Sequence, residues 1–167
     1  MPYLSSVGIA RSTSSLVAMG IPLISILGRL GSGWFSDTFD KRLVSSGCLA
    51  ATSLGLLLFS YVSDEVMWLL VPFIILFGIG WGGTATMRVP LLVEYFGRSR
   101  FGTILGFIMA MSALGSIVGP LFAGWLFDNL GSYHAAWLIL ACFTFIATII
   151  MATIPSVRTN VQVSDDA

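Results

Sequence analysis

Charged residues are scarce in this chain. Asp, Glu, Lys and Arg make up 10% of its 167 residues, whereas 56% are hydrophobic and the mean hydropathy is +0.94. A soluble domain carries roughly a quarter charged residues, and a small domain leaves much of its surface in water. The composition therefore argues against a soluble enzyme or a disordered linker, and it indicates an integral membrane protein.

An excess of one charge and the common catalytic motifs are lacking too. Eight Lys and Arg balance eight Asp and Glu, so no basic field is present to hold nucleic acid. Cys48 and Cys142 lie in apolar runs and fit no metal spacing, and the single histidine, His134, gives no relay. The glycine-rich run at 78–85 lacks the Lys that a phosphate loop needs, and H-E-x-x-H and G-x-S-x-G are absent. We therefore expect no enzyme, no metal and no cofactor.

Long apolar runs are what the chain has instead. A membrane-spanning helix needs about 20 mostly apolar residues, and five such runs are separated by short polar breaks. They do not alternate apolar and polar residues as membrane β-strands do. The sequence predicts an all-α, polytopic membrane helix bundle in residues 1–155 and a polar cytoplasmic tail at 156–167. The five spans are expected at 12–35, 43–61, 66–92, 101–127 and 135–154.

The distribution of Lys and Arg predicts the orientation of these spans. Cytoplasmic loops carry an excess of Lys and Arg. Placing the N-terminus outside leaves only Arg11 in the outer segments and puts five basic residues inside, with the C-terminus. We therefore expect a multi-pass protein of the plasma (inner) membrane. The inner basic residues are Lys41, Arg42, Arg98, Arg100 and Arg158.

Arg29 is the charge that fits least well inside a span. If Asp37 marks the inner boundary, Arg29 lies eight residues earlier, about 12 Å deeper, near the middle of an apolar core roughly 30 Å thick. One interpretation is an inner-surface arginine on a helix that ends early. The other is a guanidinium that faces a water-filled cavity and binds an anion with its fork of donors.

Other polar residues of the spans are weaker candidates. Trp81, Thr84 and Ser112 bring an indole and two hydroxyls into the third and fourth spans, and we take them with Arg29 as candidate substrate-binding residues. The alternative is structural, because Ser and Thr in lipid mostly bond to their own backbone. The dense glycines of these spans likewise serve either close helix packing or a hinge.

The charges near the inner boundary form a second candidate site. We expect them to act as an inner-gate cluster that holds helix ends together in one conformation and separates in another. Such a cluster matters as a network, because single surface ion pairs are weak. Arg88 is expected either to extend its side chain to the inner surface or to pair structurally with an acid at the same edge. The cluster comprises Asp37, Lys41, Arg42, Arg88, Glu94 and Arg98.

The segment GRLGSGWFSDTFDKR at 28–42 resembles a known signature. Its Gly33-x-x-x-Asp37-x-x-x-Lys41-Arg42 pattern is similar to the inner-loop motif of the major facilitator superfamily. An arginine ahead of Gly-Trp-x-Ser-Asp resembles the junction of the eighth and ninth helices in the oxalate/formate antiporter and monocarboxylate transporter families. The runs at 94–102 and 119–134 also look like the tenth-to-twelfth helix region of such carriers.

This resemblance covers residues 1–155 and implies that the five spans correspond to helices eight to twelve of a secondary carrier. It implies alternating-access transport of a small organic anion, a monocarboxylate, with Arg29 on its carboxylate and a co-transported proton or counter-anion. The 101–127 span lacks the lysine that related dicarboxylate carriers have there. The chain would then be part of a C-terminal half whose partner is the missing N-terminal half. The alternative is a non-transporting remnant or assembly subunit that packs through its Gly-rich faces.

Overall fold

The computed structural model describes residues 11–62, 64–131 and 133–155, and the predicted tail at 156–167 lies outside these ranges. Within them five helices are long and apolar enough to cross a membrane, and no strand occurs. A short 3₁₀ segment, Asp64–Leu69, leads into the third helix. The prediction of an all-α membrane bundle is confirmed. The helices are α1 (Arg11–Thr38), α2 (Lys41–Ser60), α3 (Leu70–Phe96), α4 (Phe101–Leu130) and α5 (His134–Thr153).

Polar residues and glycines lie at the ends of the helices. Asp40 caps the start of α2, where its Oδ1 accepts a hydrogen bond from the Arg42 backbone N–H at 3.2 Å. Gly97 and Gly131 follow α3 and α4 with φ of +69° and +66°. Glycine adopts this backbone region at little steric cost, so short turns at these points reverse the chain.

Helix α3 is the centre of the packed part of the bundle. α1 and α2 pack along it, and α5 packs along α2. Glycines make these approaches close: a Cβ on Gly82 would lie 2.9 Å from the Ser25 carbonyl carbon, and one on Gly80 would lie 2.7 Å from the Thr52 nitrogen. Small residues let helix backbones approach in lipid, and the glycines of α3 serve that packing.

A hydrophobic cluster with stacked aromatic rings joins four helices at the end where α2 finishes and α3 begins. The Phe59 ring stacks on Phe73 with centroids 4.3 Å apart and meets the Trp137 edge at 4.8 Å. Such contacts hold α2, α3 and α5 in fixed relative positions, because close-packed aromatic pairs tolerate little rearrangement. The buried members are Val17, Phe59, Val62, Leu70 and Phe73.

Helix α4 packs far less than the others. Leu126 is its only buried residue, and its contacts with α3 and α5 are few. Gly102 and Gly106, and likewise Gly115 and Gly119, have no other packed atom of the described structure within 4 Å of an added Cβ. The glycine pairs of α4 therefore pack against nothing that the structure describes, in contrast to those of α3.

Candidate anion-binding face

Arg29 lies within α1, nine residues before the helix ends at Thr38. Its side chain is exposed, and it makes no hydrogen bond or ion pair with any residue of the described ranges. The neighbouring Gly28 is buried against α3, where an added Cβ would lie 2.7 Å from the Ile79 Cα. The backbone of Arg29 therefore lies beside the close contact between α1 and α3, and its guanidinium has no partner among the described residues.

Trp81 lies at the same level of the α1–α3 pair as Arg29. Gly28 meets Ile79 across the seam, α1 and α3 run in the same direction, and a helix rises about 1.5 Å per residue. Arg29 follows Gly28 by one position and Trp81 follows Ile79 by two. The two side chains thus start from nearly the same height by this contact, and within about 8 Å of each other along the axis by the Gly82–Ser25 contact. Trp81 is 58% exposed and stacks on Phe77 with centroids 5.9 Å apart.

The two residues also share one side of this helix pair. The opposite side holds an apolar cavity of about 500 Å³, lined by Leu27 and Gly31 from α1 and by Ile79 from α3, among others. Residues two apart on an α-helix point in nearly opposite directions, because each residue turns the helix by about 100°. Arg29 lies between Leu27 and Gly31, and Trp81 is two beyond Ile79. We name the side that carries Arg29 and Trp81 the Arg29 face.

The predicted hydroxyl contacts are placed differently. Thr84 is half-buried, and its Oγ1 donates to the Gly80 carbonyl of its own helix at 2.8 Å. Ser112 is exposed in the middle of α4, the helix that packs least. The described structure brings Arg29 and Trp81 together on one face, and it leaves Thr84 in a backbone hydrogen bond and Ser112 on a separate helix.

Of the predicted inner-gate cluster, two residues pair directly. Lys41 Nζ lies 2.7 Å from Glu94 Oε2, which joins the start of α2 to the end of α3. The two side chains are 35% and 21% exposed, so water partly screens the attraction. Asp37 and Arg98 are exposed and form no ion pair within the described ranges. We call this end of the bundle, where α1 finishes and α2 begins, the charged end.

The charged end also holds contacts to backbone carbonyls that the sequence does not predict. The Arg42 guanidinium donates to the Ile154 carbonyl, and its buried Nε has no partner among the described residues. The Tyr95 hydroxyl donates to the Pro155 carbonyl at 3.0 Å. These bonds tie the end of α5 to α2 and α3. No side-chain pattern could reveal them, because the acceptors are main-chain atoms.

A further link lies at the opposite end, between α2 and α5. Ser60 Oγ is 2.8 Å from His134 Nδ1, which is 2.7 Å from the Ser60 carbonyl oxygen. The Tyr61 ring meets the imidazole edge-on with centroids 5.3 Å apart. His134, expected to take no part in a relay, therefore joins the two helix ends.

Comparison with known proteins agrees with this architecture. The family model described as Major Facilitator Superfamily matches residues 1–165. This chain belongs to that superfamily. Five apolar helices and membership of this transporter superfamily identify a multi-pass membrane protein. The superfamily predicted from the motif at 28–42 is confirmed.

The individual relatives share about 30% sequence identity with this chain. The chain is 29% identical over 160 residues to "Monocarboxylate transporter 12" of Mus musculus, covering 95% of this chain and 33% of the relative. It is 30% identical over 141 residues to the Homo sapiens protein of the same name, covering 83% and 27%. "Multidrug resistance protein B homolog" of Mycobacterium tuberculosis (strain ATCC 25618 / H37Rv) is 30% identical over 109 residues, covering 65% and 19%.

The matched monocarboxylate transporters are about three to four times as long as the region they share with this chain. The chain spans 33% of the mouse relative and 27% of the human one. No solved structure matches the chain. The resemblance to monocarboxylate transporters that the sequence motifs carry is confirmed by these relatives.

Proposed function

We propose that this chain is part of the C-terminal half of a secondary carrier that moves a monocarboxylate across the plasma membrane by alternating access. The observation that carries the proposal is Arg29, an exposed and unpaired cation within a membrane helix, level with Trp81 on one face. The superfamily and the names of the relatives support it. The substrate class is a small organic anion with one carboxylate.

The chemistry of Arg29 suits a carboxylate. A charge inside the hydrocarbon region is costly and normally faces a water-filled cavity or a partner. The guanidinium offers two parallel N–H donors that match the two carboxylate oxygens. Trp81 beside it offers an apolar ring for the carbon chain of the substrate and an indole N–H. Thr84 and Ser112 are further candidate contacts, each of which would first have to present its hydroxyl to the cavity.

The remaining parts of the carrier would complete this site. The Arg29 face and most of α4 are exposed, and an apolar helix surface of that extent calls for lipid or protein against it. We assign the N-terminal half of the carrier, outside this chain, as the opposite wall of the cavity. A proton or a counter-anion would be the coupled species. We assign the N-terminus to the outside and the charged end to the cytoplasm, and the concentration of Lys and Arg at that end supports this orientation.

The charged end is the proposed inner gate. The Lys41–Glu94 pair and the Arg42 bond to α5 hold three helices together, whereas Asp37 and Arg98 remain exposed. We assign these exposed charges to contacts that form in one conformation and part in another. Loss of Asp37 or Arg98 should then slow turnover without weakening substrate binding.

A second candidate function is a membrane protein that does not transport. The open glycine pairs of α4 favour it, because such pairs mediate helix association in membranes. In that case this chain would associate through α4 as an assembly subunit or remnant. The carrier requires further spans encoded with this chain, and the alternative does not.

The decisive experiment is ligand-dependent thermal stabilisation of the purified full-length protein that contains this chain. A ligand that binds only the folded state raises the midpoint of unfolding. We expect monocarboxylates to raise it in a saturable way, and the corresponding primary amides, which match them in shape but lack the charge, to leave it unchanged. Equal effects of acid and amide, or no effect of any carboxylate, would refute an anion carrier.

A further inference from the structure

Arg88 lies on the same side of α3 as Trp81. It follows Trp81 by seven residues, which returns the helix to within about 20° of the same direction and advances it about 10 Å. That advance is toward the charged end, where α3 finishes at Phe96. The side chain of Arg88 is half-buried. The Arg29 face therefore carries a second cation, nearer to the charged end than the first.

The acid nearest to Arg88 in the sequence is already engaged. The sequence predicts that Arg88 pairs with an acid at the inner edge, and Glu94 is the acidic residue of α3. Glu94 instead lies 2.7 Å from Lys41, and Arg88 makes no hydrogen bond or ion pair with any residue in the described ranges. An ionisable residue within a membrane helix is by default a candidate for a substrate or ion pathway.

The separation of the two arginines suits successive contacts with one anion. The Gly28–Ile79 and Gly82–Ser25 contacts set Arg29 level with positions 80 to 86 of α3, so Arg88 lies two to eight residues further, about 3–12 Å along the axis. Each side chain is long and flexible, so an anion that leaves one guanidinium can reach the next. Passage through a membrane requires sites that bind strongly enough to admit an ion and weakly enough to release it.

We propose that Arg88 is a second anion-binding residue, which takes the carboxylate from Arg29 on its way to the charged end. The proposal rests on the proposed carrier function and adds a site to it. Arg88 acts here as a point charge at a staging position, so the fork geometry of the guanidinium matters less than its charge. This distinguishes it from Arg29, whose contact uses both donors.

The test compares Arg88→Gln and Arg88→Lys with Arg100→Gln in the full-length protein, reconstituted in vesicles of one orientation. Arg100 is an exposed arginine just before α4 whose side chain has no partner in the described ranges, so it controls for loss of charge. We expect Arg88→Gln to raise the half-saturating carboxylate concentration at least tenfold from the charged-end side and less than threefold from the other. Arg88→Lys and Arg100→Gln should stay within threefold on both sides.

A chemical variant guards against misfolding of Arg88→Gln. Arg88→Cys, with Cys48 and Cys142 replaced by Ala, can be modified with a methanethiosulfonate that adds an ammonium group or with one that adds a sulfonate. The ammonium group should restore carboxylate affinity from the charged-end side, and the sulfonate group should not. Bound carboxylate should slow the reaction of the cysteine with both reagents. Equal rescue by both reagents, or reaction rates that carboxylate leaves unchanged, would overturn the role of Arg88.

The outcomes separate this inference from the function beneath it. If the unmodified carrier shows no saturable carboxylate binding, the carrier proposal fails and the inference fails with it. If the unmodified carrier binds carboxylate and Arg88→Gln binds it equally well from both sides, only the inference is overturned. An equal loss from both sides also overturns it, because a staging position nearer to one end predicts asymmetry.

Discussion

Replacing Arg29 is the sharpest test of the candidate site. Arg29→Ala removes both donors, and Arg29→Lys keeps the charge but loses the fork. Because Arg29 has no partner among the described residues, its removal should cost little stability. The effect is therefore expected in substrate binding, while the unfolding midpoint of the unliganded protein changes little.

The magnitude follows from the number of hydrogen bonds at stake. The two parallel bonds of a bidentate arginine–carboxylate pair, in a partly desolvated cavity, together contribute on the order of 2–3 kcal/mol, and each 1.4 kcal/mol is about a tenfold change in affinity. We expect Arg29→Ala to weaken carboxylate binding by roughly tenfold to over a hundredfold. Arg29→Lys loses one of the paired contacts, so about a tenfold loss is expected.

The assay is equilibrium binding of a radiolabelled or thermally detected monocarboxylate to the full-length protein, with Arg100→Gln as the matched control. The competing explanation is that Arg29 extends toward the charged end and belongs to the inner cluster. Lysine would then substitute well, because it reaches as far and carries the same charge. Near-native affinity in both Arg29 variants, with Arg100→Gln unchanged, would refute the carboxylate site.

Three further predictions concern packing, the charged end and orientation. Gly82→Val should destabilise the protein by about 1–3 kcal/mol, because its side chain would overlap the Ser25 backbone, whereas Gly47→Ala, which faces open space, should be near neutral in thermal unfolding. A double-mutant cycle of Lys41→Met and Glu94→Gln should give a coupling of roughly 0.2–1 kcal/mol; a coupling of zero would show that the pair does not stabilise the protein. In a cysteine-free background, Leu130→Cys should react with an impermeant maleimide outside sealed cells, and a cysteine at the charged end should react only after permeabilisation.

The number and type of the helices could be predicted from local pattern. A run of about 20 apolar residues can satisfy its backbone polar groups within its own segment in lipid only by forming a helix. Glycine and acidic residues mark the breaks because they supply the turns and caps that end helices. The superfamily followed from a short polar motif at 33–42, where polar residues in an apolar chain stand out.

The local sequence pattern does not predict which helices pack against each other. Glycine occurs in α3 and in α4 alike, yet Gly80 and Gly82 lie against neighbouring backbones and Gly106 and Gly115 face open space. Composition cannot distinguish these cases, because small residues favour close approach without specifying the partner. The choice depends on which helices the topology brings together.

The sequence likewise predicts one part of the candidate site, and tertiary structure decides the rest. Arg29 is conspicuous in the sequence, since a charge deep in an apolar run is costly wherever the run packs. Tertiary structure decides the other features of the site. It sets Trp81 level with Arg29, pairs Glu94 with Lys41 rather than with Arg88, and brings Arg42 to a carbonyl of α5. They depend on the register between helices, which the Gly28–Ile79 contact sets through backbone sterics and no periodicity along one helix encodes.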